Sequence, residues 1–253
     1  MQAPLVYRAH ESGYPMNTLT DRHTPIDTRT KLVGLLGRPL GHSFSPVMHN
    51  RAFHALGLNY CYLPIEVADE DVPAVAAGIA KMNFAGYNVT IPHKIRIMDC
   101  LDAIDPLAKA IGAVNTVIIQ NGCTTGYNTD GFGFIHSLEA AGEPSVENKS
   151  VLILGAGGAA RAIAMTLADQ GATRIVICNR TDSKASTLSR DVNQQGRECA
   201  TAIPMDAVTM TNALRDTDIL INTTSIGMHP QDQQSPIANR LIQSHLVVCD
   251  IVY

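Results

Sequence analysis

The sequence contains no tryptophan, and aromatic residues make up only 5% of its 253 residues. It also lacks the spacings of a metal site, because its six cysteines form no CxxC pair and its nine histidines form no HxxxH or HExxH motif. The wide, irregular spacing of the cysteines disfavours a disulfide framework as well. These absences predict a cytoplasmic protein with reduced cysteines and no bound metal.

Charged residues are also few, at 17%, and no stretch gathers the roughly five like charges that mark a nucleic-acid-binding surface. No apolar run approaches the roughly 18 residues of a membrane span, and residues 1–30 lack the apolar core of a signal peptide. We therefore expect a small-molecule substrate as the partner, and neither nucleic acid nor a membrane. Residues 1–30 are polar and aperiodic, which predicts a flexible arm and leaves Met1 or Met16 as the start.

Hydrophobic residues make up 45% of the chain and form short apolar runs that alternate with helical periodicity. The runs predict strands at 31–37, 59–67, 86–91, 113–119, 150–155, 174–179, 218–224 and 246–252. Helices are predicted at 46–56, 69–81, 131–141, 159–170, 183–195 and 205–214. This alternation is typical of an α/β fold with mostly parallel sheets. The polar segment 143–149 marks the boundary between two predicted domains, 31–142 and 143–253.

A glycine-rich turn follows the apolar strand in VLILGAGGAARA (151–162) and leads directly into a helix. In the dinucleotide-binding fingerprint, Gly155 makes the tight turn, Gly157 admits a pyrophosphate, and a small third residue, here Ala160, allows close helix packing. The pyrophosphate would lie at the helix N-terminus, where unpaired N–H groups favour an anion. The pattern favours a Rossmann dinucleotide site over the alternative, a glycine turn without a ligand.

The end of the next strand, RIVICNRTDSK (174–184), bears on the choice of dinucleotide. An NAD enzyme usually has an acidic residue here against the ribose 2′-hydroxyl, whereas this chain has Cys178, Asn179 and Arg180. Arg180 and Lys184 offer two cations to a 2′-phosphate, which predicts NADP. Asp182 in the same loop keeps NAD as the alternative.

Two serines stand one residue apart before a helix predicted to open at Pro46. Ser43 and Ser45 suit the capping of that helix, and Pro46 is tolerated in its first turn. Neutral hydroxyl donors beside a helix end also suit a small carboxylate. The residues alone leave both interpretations open.

Polar residues also follow two strands of the first half. In GYNVTIPHK the strand delivers Lys94 just past its end, with Asn88 and Thr90 on one side by the two-residue period. In GAVNT and YNTDG, Asn115 and Asp130 stand close to strand ends. Taken singly, Lys94 is better explained as a solvated surface lysine and Asp130 as a helix cap.

Seven segments, in this order and at these intervals, resemble the shikimate dehydrogenases and the related quinate/shikimate dehydrogenases. They are SFSP, NVTIPHK, GAVNT, YNTDG, GAGGAARA, NRT and NTTSIGM. The resemblance extends over about residues 33–253. It implies an N-terminal α/β substrate domain, a Rossmann domain, and the reversible reduction of 3-dehydroshikimate to shikimate with NADPH in aromatic amino-acid (chorismate) biosynthesis. A quinate/shikimate dehydrogenase that uses NAD or NADP is the alternative.

The resemblance also implies roles for particular residues. Lys94 and Asp130 would form the catalytic pair, because a ketone oxygen that gains negative charge needs a proton donor within reach and a carboxylate can orient it. The substrate-binding residues would be Ser43, Ser45, Thr90, Asn115, Asp130 and Tyr253. The cofactor-binding residues would be Gly155, Ala156, Gly157, Gly158, Ala159, Asn179, Arg180, Thr181, Lys184 and Ile251.

The chain departs from the family at Tyr253, where family members continue for a few dozen residues that line the nicotinamide and substrate sites. We therefore expect either a fragment of a longer protein or a natural truncation, and a 253-residue form that binds NADP weakly and turns over little. In a natural truncation, a non-catalytic dinucleotide-binding protein is the third interpretation. We expect a monomer or a homodimer.

Overall fold

The structure is a computed structural model that describes residues 26–41, 43–142, 145–227 and 233–251. Most of the predicted N-terminal arm lies outside these residues, as do Met16, Tyr253 and the first two residues of the boundary segment 143–149. Among the described residues, no helix has the length and apolar character needed to cross a membrane. In the same ranges, no cluster of histidine, cysteine and acidic side chains could hold a metal ion.

The described residues contain all the predicted strands and helices, with ends that differ by a few residues. The strands are β1 (Lys31–Gly37), β2 (Tyr60–Glu66), β3 (Phe84–Val89), β4 (Ala103–Ile104), β5 (Thr116–Gln120), β6 (Cys123–Tyr127), β7 (Ser150–Leu154), β8 (Arg174–Cys178), β9 (Ala200–Ile203), β10 (Ile219–Asn222) and β11 (Val247–Asp250). The α-helices are α1 (Ser45–Ala55), α2 (Val72–Ile79), α3 (Pro106–Ile111), α4 (Asp130–Ala140), α5 (Gly158–Asp169), α6 (Asp182–Asn193) and α7 (Ala207–Arg215). Four elements were not predicted: β4, β6, β9 and α3.

The first sheet has the strand order β2-β1-β3-β5-β6-β4. The pairs β2-β1, β1-β3 and β6-β4 are parallel, in agreement with a mostly parallel sheet, whereas β3-β5 and β5-β6 are antiparallel. The antiparallel pair β5-β6 is a hairpin, in which Asn121 and Gly122, with φ of 53° and 78°, form a two-residue turn that reverses the chain. The sheet is therefore mixed, with a hairpin inserted into its second half.

The carboxyl ends of β1 and β3 lie side by side in this sheet. Beyond them, the backbone N–H of Thr90 donates to the carbonyl of Leu36 at 2.8 Å, and that of Arg38 donates to Ile91 at 3.1 Å. The loop that follows β1 carries Ser43, and the turn that follows β3 carries Lys94. Parallel pairing therefore brings the segments with predicted substrate contacts to one edge of the sheet.

The second sheet is parallel throughout, with the order β11-β10-β7-β8-β9. Both faces of its central strand are covered, because Val151 and Ile153 pack into one buried cluster and Leu152 and Leu154 into another. The strand order reverses between β7 and β10. Ligands of open α/β sheets bind in the crevice at such a reversal, at the carboxyl ends of the strands. The predicted Rossmann architecture is confirmed.

Helix α5 packs against helices α3 and α4 of the first half of the chain. Helix α4, which carries Asp130, approaches α5 so closely that a Cβ on Gly131 would lie 2.0 Å from Thr166 Oγ1. On α5, Arg161 donates to the carbonyl of Ala110 in α3 at 3.0 Å. Arg161 also pairs with Asp191 of α6 at 2.6 Å. These contacts hold the helix that follows the glycine turn against the elements of the first sheet. The division of the chain at residues 142 and 143 stays a prediction.

The six cysteines lie at different depths in the protein. Cys178 on β8 is buried, and burial raises the pKa of its thiol to about 11. Cys123 on β6 is exposed. The cysteines therefore differ in surroundings, and only some of them are core residues.

Candidate active site and dinucleotide-binding site

Lys94 and Asp130 form an ion pair beyond the carboxyl end of β3. Lys94 lies in the turn that follows β3, and Asp130 is the first residue of α4. The Lys94 Nζ donates a hydrogen bond of 2.6 Å to Asp130 Oδ2, and the side chains are 30% and 39% exposed. The two residues nominated as the catalytic pair are therefore in contact and accessible from solvent.

The carboxylate of Asp130 does not cap its helix. The N-cap position of α4 is Thr129, whose side chain makes no capping hydrogen bond, and the N–H of Asp130 donates to Asn128 Oδ1 at 3.1 Å. Both carboxylate oxygens of Asp130 accept bonds from other elements: Oδ2 from Lys94, and Oδ1 from Asn115 Nδ2 at 2.7 Å. These contacts favour the ion pair over the helix-cap alternative.

The backbone that carries Lys94 is held from two sides. The carbonyl of Lys94 accepts a bond of 2.8 Å from the N–H of Val114. The ring of the preceding His93 is fully buried, and its Nε2 donates to the carbonyl of Val67 at 2.9 Å. The turn is therefore fixed while the ammonium group stays accessible.

Asn115 is a buried polar residue directly before β5. Its Oδ1 accepts bonds of 3.0 Å from Thr116 Oγ1 and from the N–H of Thr129. With that oxygen occupied by two donors, the amide nitrogen must face Asp130. Asn115 thus joins the first sheet to the start of α4, in addition to the substrate contact that the resemblance implies.

The two predicted serines lie at the start of α1. Ser45 is its first residue, and the N–H of Ser45 donates to Ser43 Oγ at 3.3 Å. The N-cap position is Phe44, whose side chain makes no capping hydrogen bond, so Ser43 is the hydroxyl residue that contacts the first N–H of α1. Within the described residues, no hydrogen bond joins either serine to Lys94 or Asp130. The structure thus supports a contact of Ser43 with the start of α1 and shows no capping bond from Ser45, so the choice between capping and ligand binding stays open for Ser43.

The glycine turn has the geometry that the fingerprint requires. Gly155 has a φ of +111°, and a Cβ there would lie 2.5 Å from Thr223 Oγ1, so a side chain is excluded. A Cβ on Gly157 or Gly158 would meet no heavy atom within 4 Å, which leaves the loop open to a close ligand. Ala160 is fully buried in the contact of α5 with the sheet. The loop therefore fits a pyrophosphate at the N-terminus of α5.

A pocket of about 270 Å³ opens at the crevice between β7 and β10. Its lining residues are Gly155, Ala156, Gly157, Asn179, Arg180, Thr181, Lys184, Thr223, Thr224 and Ser225. Seven of these were predicted as cofactor-binding residues. Gly158 and Ala159, also predicted, begin α5 and do not line the pocket. Thr223, Thr224 and Ser225 were not predicted, although they belong to NTTSIGM, because only the strand order shows that β10 ends beside the glycine turn.

The cations predicted to recognise a 2′-phosphate lie at one end of this pocket. Arg180 and Lys184 are exposed, and no salt bridge in the described part of the chain involves either of them. Their loop is ordered by Asn179, whose Nδ2 donates to the carbonyl of Thr181 at 3.0 Å. Arg180 and Lys184 therefore offer two positive charges at the edge of the pocket that the glycine turn lines, an arrangement that fits a phosphate group of a dinucleotide. Asp182 is exposed at the first position of α6.

The last two predicted contacts lie at the end of the chain. Ile251 follows β11, is half-buried and packs against the core of the second sheet. That environment suits a structural role as well as contact with a cofactor. Tyr253 lies outside the described residues, so its predicted contact with substrate stays a prediction.

Comparison with known proteins agrees with this geometry. Residues 35–117 match the family described as "Shikimate dehydrogenase substrate binding domain", and residues 138–252 match "Shikimate / quinate 5-dehydrogenase". A protein of Bacillus cereus named shikimate dehydrogenase (NADP(+)) is 43% identical over 226 residues, which are 88% of this chain and 79% of that protein.

Two solved structures extend the comparison. The shikimate 5-dehydrogenase of Listeria monocytogenes, in complex with shikimate and NAD, aligns with a TM-score of 0.86 at 37% identity, over 94% of this chain and 82% of its own. The quinate dehydrogenase of Corynebacterium glutamicum, in complex with NAD, aligns with a TM-score of 0.79 at 30% identity, over 88% and 80%. Sequence identity, fold and the paired Lys94 and Asp130 agree, and the chain belongs to the shikimate dehydrogenase family.

Proposed function

We propose that this protein is an NADP-dependent shikimate dehydrogenase, which reversibly reduces 3-dehydroshikimate to shikimate in aromatic amino-acid biosynthesis. The observation that carries the proposal is the accessible ion pair of Lys94 and Asp130, held at 2.6 Å in a chain that is 43% identical to a shikimate dehydrogenase (NADP(+)). When bound, NADPH supplies the hydride to the ketone carbon. The residues of this chain supply the proton, the orientation of the substrate and the charge that holds the dinucleotide.

Lys94 is the proton donor in this proposal. As the ketone oxygen gains negative charge, the Lys94 ammonium gives it a proton, and the oxygen becomes the hydroxyl of shikimate. In the oxidative direction the neutral amine takes that proton back. Asp130 holds the Nζ in place, and the 30% exposure of the Lys94 side chain lets the proton exchange with solvent.

The remaining polar residues at this edge orient the substrate. Ser43 and Ser45 bind its carboxylate with their hydroxyls, at the start of α1. Thr90 and Asn115 bind ring hydroxyls, and Asp130 contributes a contact besides its pairing with Lys94. Tyr253 completes the predicted set of substrate contacts.

The dinucleotide is held at the carboxyl edge of the second sheet. The residues that would hold it are Gly155, Ala156, Gly157, Gly158, Ala159, Asn179, Arg180, Thr181, Lys184 and Ile251. To these we add Thr223, Thr224 and Ser225, because they line the same pocket. Residues 31–142 are the substrate domain in this proposal and residues 143–253 the dinucleotide-binding domain. The protein acts in the cytoplasm as a monomer or homodimer, with no metal and no nucleic acid.

The direct test is the loss of NADPH absorbance with protein at fixed concentration, with and without 3-dehydroshikimate. We expect oxidation of NADPH only when the ketone is present. Binding of NADPH with no turnover in the protein expressed from its full reading frame would favour a non-catalytic dinucleotide-binding protein.

A second candidate is a quinate/shikimate dehydrogenase, favoured by the likeness to the quinate dehydrogenase of Corynebacterium glutamicum. The two activities are separated by the oxidation of shikimate and of quinate at equal concentrations. We expect shikimate to be the better substrate. A higher kcat/KM for quinate would favour the second candidate.

Replacing Ser43 or Ser45 with alanine is expected to raise the KM for shikimate about tenfold and to lower kcat less. Each change removes a neutral donor to an anionic carboxylate, a bond worth about 1.5–3 kcal/mol. Steady-state kinetics on the protein expressed from its full reading frame would measure both constants. The control is Ser186→Ala, an exposed serine of α6. A lower melting temperature with unchanged kinetics would instead support the capping interpretation.

The wild-type protein is expected to prefer NADP over NAD by at least about tenfold in kcat/KM, equivalent to about 1.4 kcal/mol. Arg180→Ala should remove most of this preference by weakening NADP alone, because the guanidinium pairs with the 2′-phosphate that NAD lacks. Arg190→Ala, at the far end of α6, is the control. Equal kcat/KM values for the two dinucleotides in the wild type would contradict the assignment and would point to Asp182 as a ribose ligand.

A further inference from the structure

A chain of four hydrogen bonds crosses the first sheet and ends at the ion pair. Tyr62 on β2 donates from its hydroxyl to Asn88 Oδ1 on β3, at 2.8 Å. Asn88 Nδ2 donates to Thr116 Oγ1 on β5, at 3.1 Å, and that hydroxyl donates to Asn115 Oδ1, at 3.0 Å. Asn115 Nδ2 then donates to Asp130 Oδ1, at 2.7 Å. We refer to Tyr62, Asn88, Thr116 and Asn115 as the relay.

All four bonds of the relay point the same way, with each donor directed toward Asp130. Hydrogen bonds in series polarise one another, so each bond strengthens the next donor. The Asn115 amide, which is the last donor of the relay, therefore makes a stronger hydrogen bond to the Asp130 carboxylate than an isolated amide would. Thr116 is the central member, because its hydroxyl accepts from Asn88 and donates to Asn115.

The far end of the relay is rigid. The Tyr62 ring is 2% exposed and stacks on His49, with ring centroids 4.4 Å apart and planes 10° from parallel. The Tyr62 backbone is held by Asn50, which accepts from its N–H and donates to its carbonyl, both at 2.9 Å. Burial raises the pKa of the Tyr62 hydroxyl to about 12, so it remains a donor throughout the neutral range.

We propose that Thr116 and Tyr62 are positioning residues, which aim the Asn115 amide at Asp130 and so hold the Asp130 carboxylate against Lys94. Neither residue makes a hydrogen bond to Lys94 or Asp130 in the described part of the chain, so both act through Asn115. The inference rests on the proposed function, in which that ion pair performs proton transfer. It predicts that the relay affects kcat more than substrate binding, because it orders the proton donor.

The first test compares Thr116→Val with Thr116→Ser. Valine keeps the shape and removes the hydroxyl, whereas serine keeps the hydroxyl. We expect Thr116→Val to lower kcat about three- to tenfold with KM for shikimate within about twofold, because the neutral bonds from Asn88 and to Asn115 are both lost while Thr129 still donates to Asn115. Thr116→Ser should recover kcat to within about twofold of the wild type. Equal kcat values for the two variants would overturn the proposal.

The second test uses a matched pair of tyrosines and stays informative if Thr116→Val does not fold. Tyr62→Phe removes the first hydroxyl of the relay, and we expect kcat to fall about threefold at unchanged KM. Tyr87 on β3 is equally buried, and its hydroxyl has no hydrogen-bond partner among the described residues. Tyr87→Phe should therefore leave kcat unchanged. An equal fall in both variants, or none in Tyr62→Phe, would overturn the proposal.

The two proposals fail in different ways. The wild-type rate with 3-dehydroshikimate or shikimate tests the proposed function. The ratios of kcat between matched variants test the relay, with melting temperatures measured on each variant. An active wild type with Thr116→Val and Tyr62→Phe at full kcat would overturn the relay and leave the function standing.

Discussion

Lys94→Ala is expected to lower kcat for shikimate oxidation by about two to four orders of magnitude, while KM stays within about tenfold. The reason is that Lys94 is the ammonium group placed beside Asp130, at 2.6 Å, at the edge where the predicted substrate contacts meet. Its loss removes the proton donor but leaves the hydroxyls and amides that bind substrate. Steady-state kinetics on the protein expressed from its full reading frame, with circular dichroism to verify folding, would measure the effect.

Lys94→Arg separates proton transfer from charge. Arginine keeps a cation that can pair with Asp130, but its very high pKa prevents it from giving up a proton at neutral pH. We expect Lys94→Arg to bind shikimate about as well as the wild type and to turn over nearly as poorly as Lys94→Ala. A kcat within about threefold of the wild type in either variant would remove Lys94 from the proton transfer step.

The centre of the second sheet, β7 and β8 with the glycine turn, was predictable because its signals are local. The strands β7 and β8 are apolar after their first residues, Ser150 and Arg174, and the glycine turn after β7 needs a residue with positive φ at Gly155. Both features stand in consecutive residues, so a short window of sequence is sufficient to recognise them. Lys94 and Asp130 carry no such local signal, because Lys94 has an ordinary interpretation as a surface lysine and Asp130 as a helix cap. Only the family resemblance predicted that the two residues form a pair.

The hairpin of β5 and β6 was missed although a local signal marks it. Asn121 and Gly122 form the dipeptide most typical of a two-residue hairpin turn. The second strand, Cys123–Tyr127, has alternating burial and little apolar character, so a search for apolar runs passes over it. The strand β4 has two residues and is too short for any periodicity to show.

The remaining members of the two sites depend on strand order, which no short segment contains. Thr223 and Thr224 line the dinucleotide pocket because β10 pairs with β7, across a separation of about 70 residues. Tyr62 and Asn88 meet because β2 and β3 both flank β1. Such contacts arise from long-range pairing, and periodicity says nothing about them.

Asp130→Asn tests the other half of the ion pair. Both oxygens of Asp130 accept bonds from N–H donors, namely Lys94 Nζ and Asn115 Nδ2. Asparagine has one oxygen and one NH₂ group, so in either orientation it turns a donor toward another donor. The change therefore removes the negative charge and also breaks one of the two contacts of residue 130, either with Lys94 or with Asn115.

We expect Asp130→Asn to lower kcat about ten- to a hundredfold, in line with the loss of one hydrogen bond between charged groups, worth about 1.5–3 kcal/mol. The control is Asp206→Asn, because Asp206 caps α7 through the N–H groups of Val208 and Thr209. Asparagine caps a helix about as well as aspartate, so Asp206→Asn should change neither kcat nor the melting temperature. If Asp130 were only a cap, the two variants would behave alike. Parallel kinetics on the two variants would therefore decide between a catalytic and a structural Asp130.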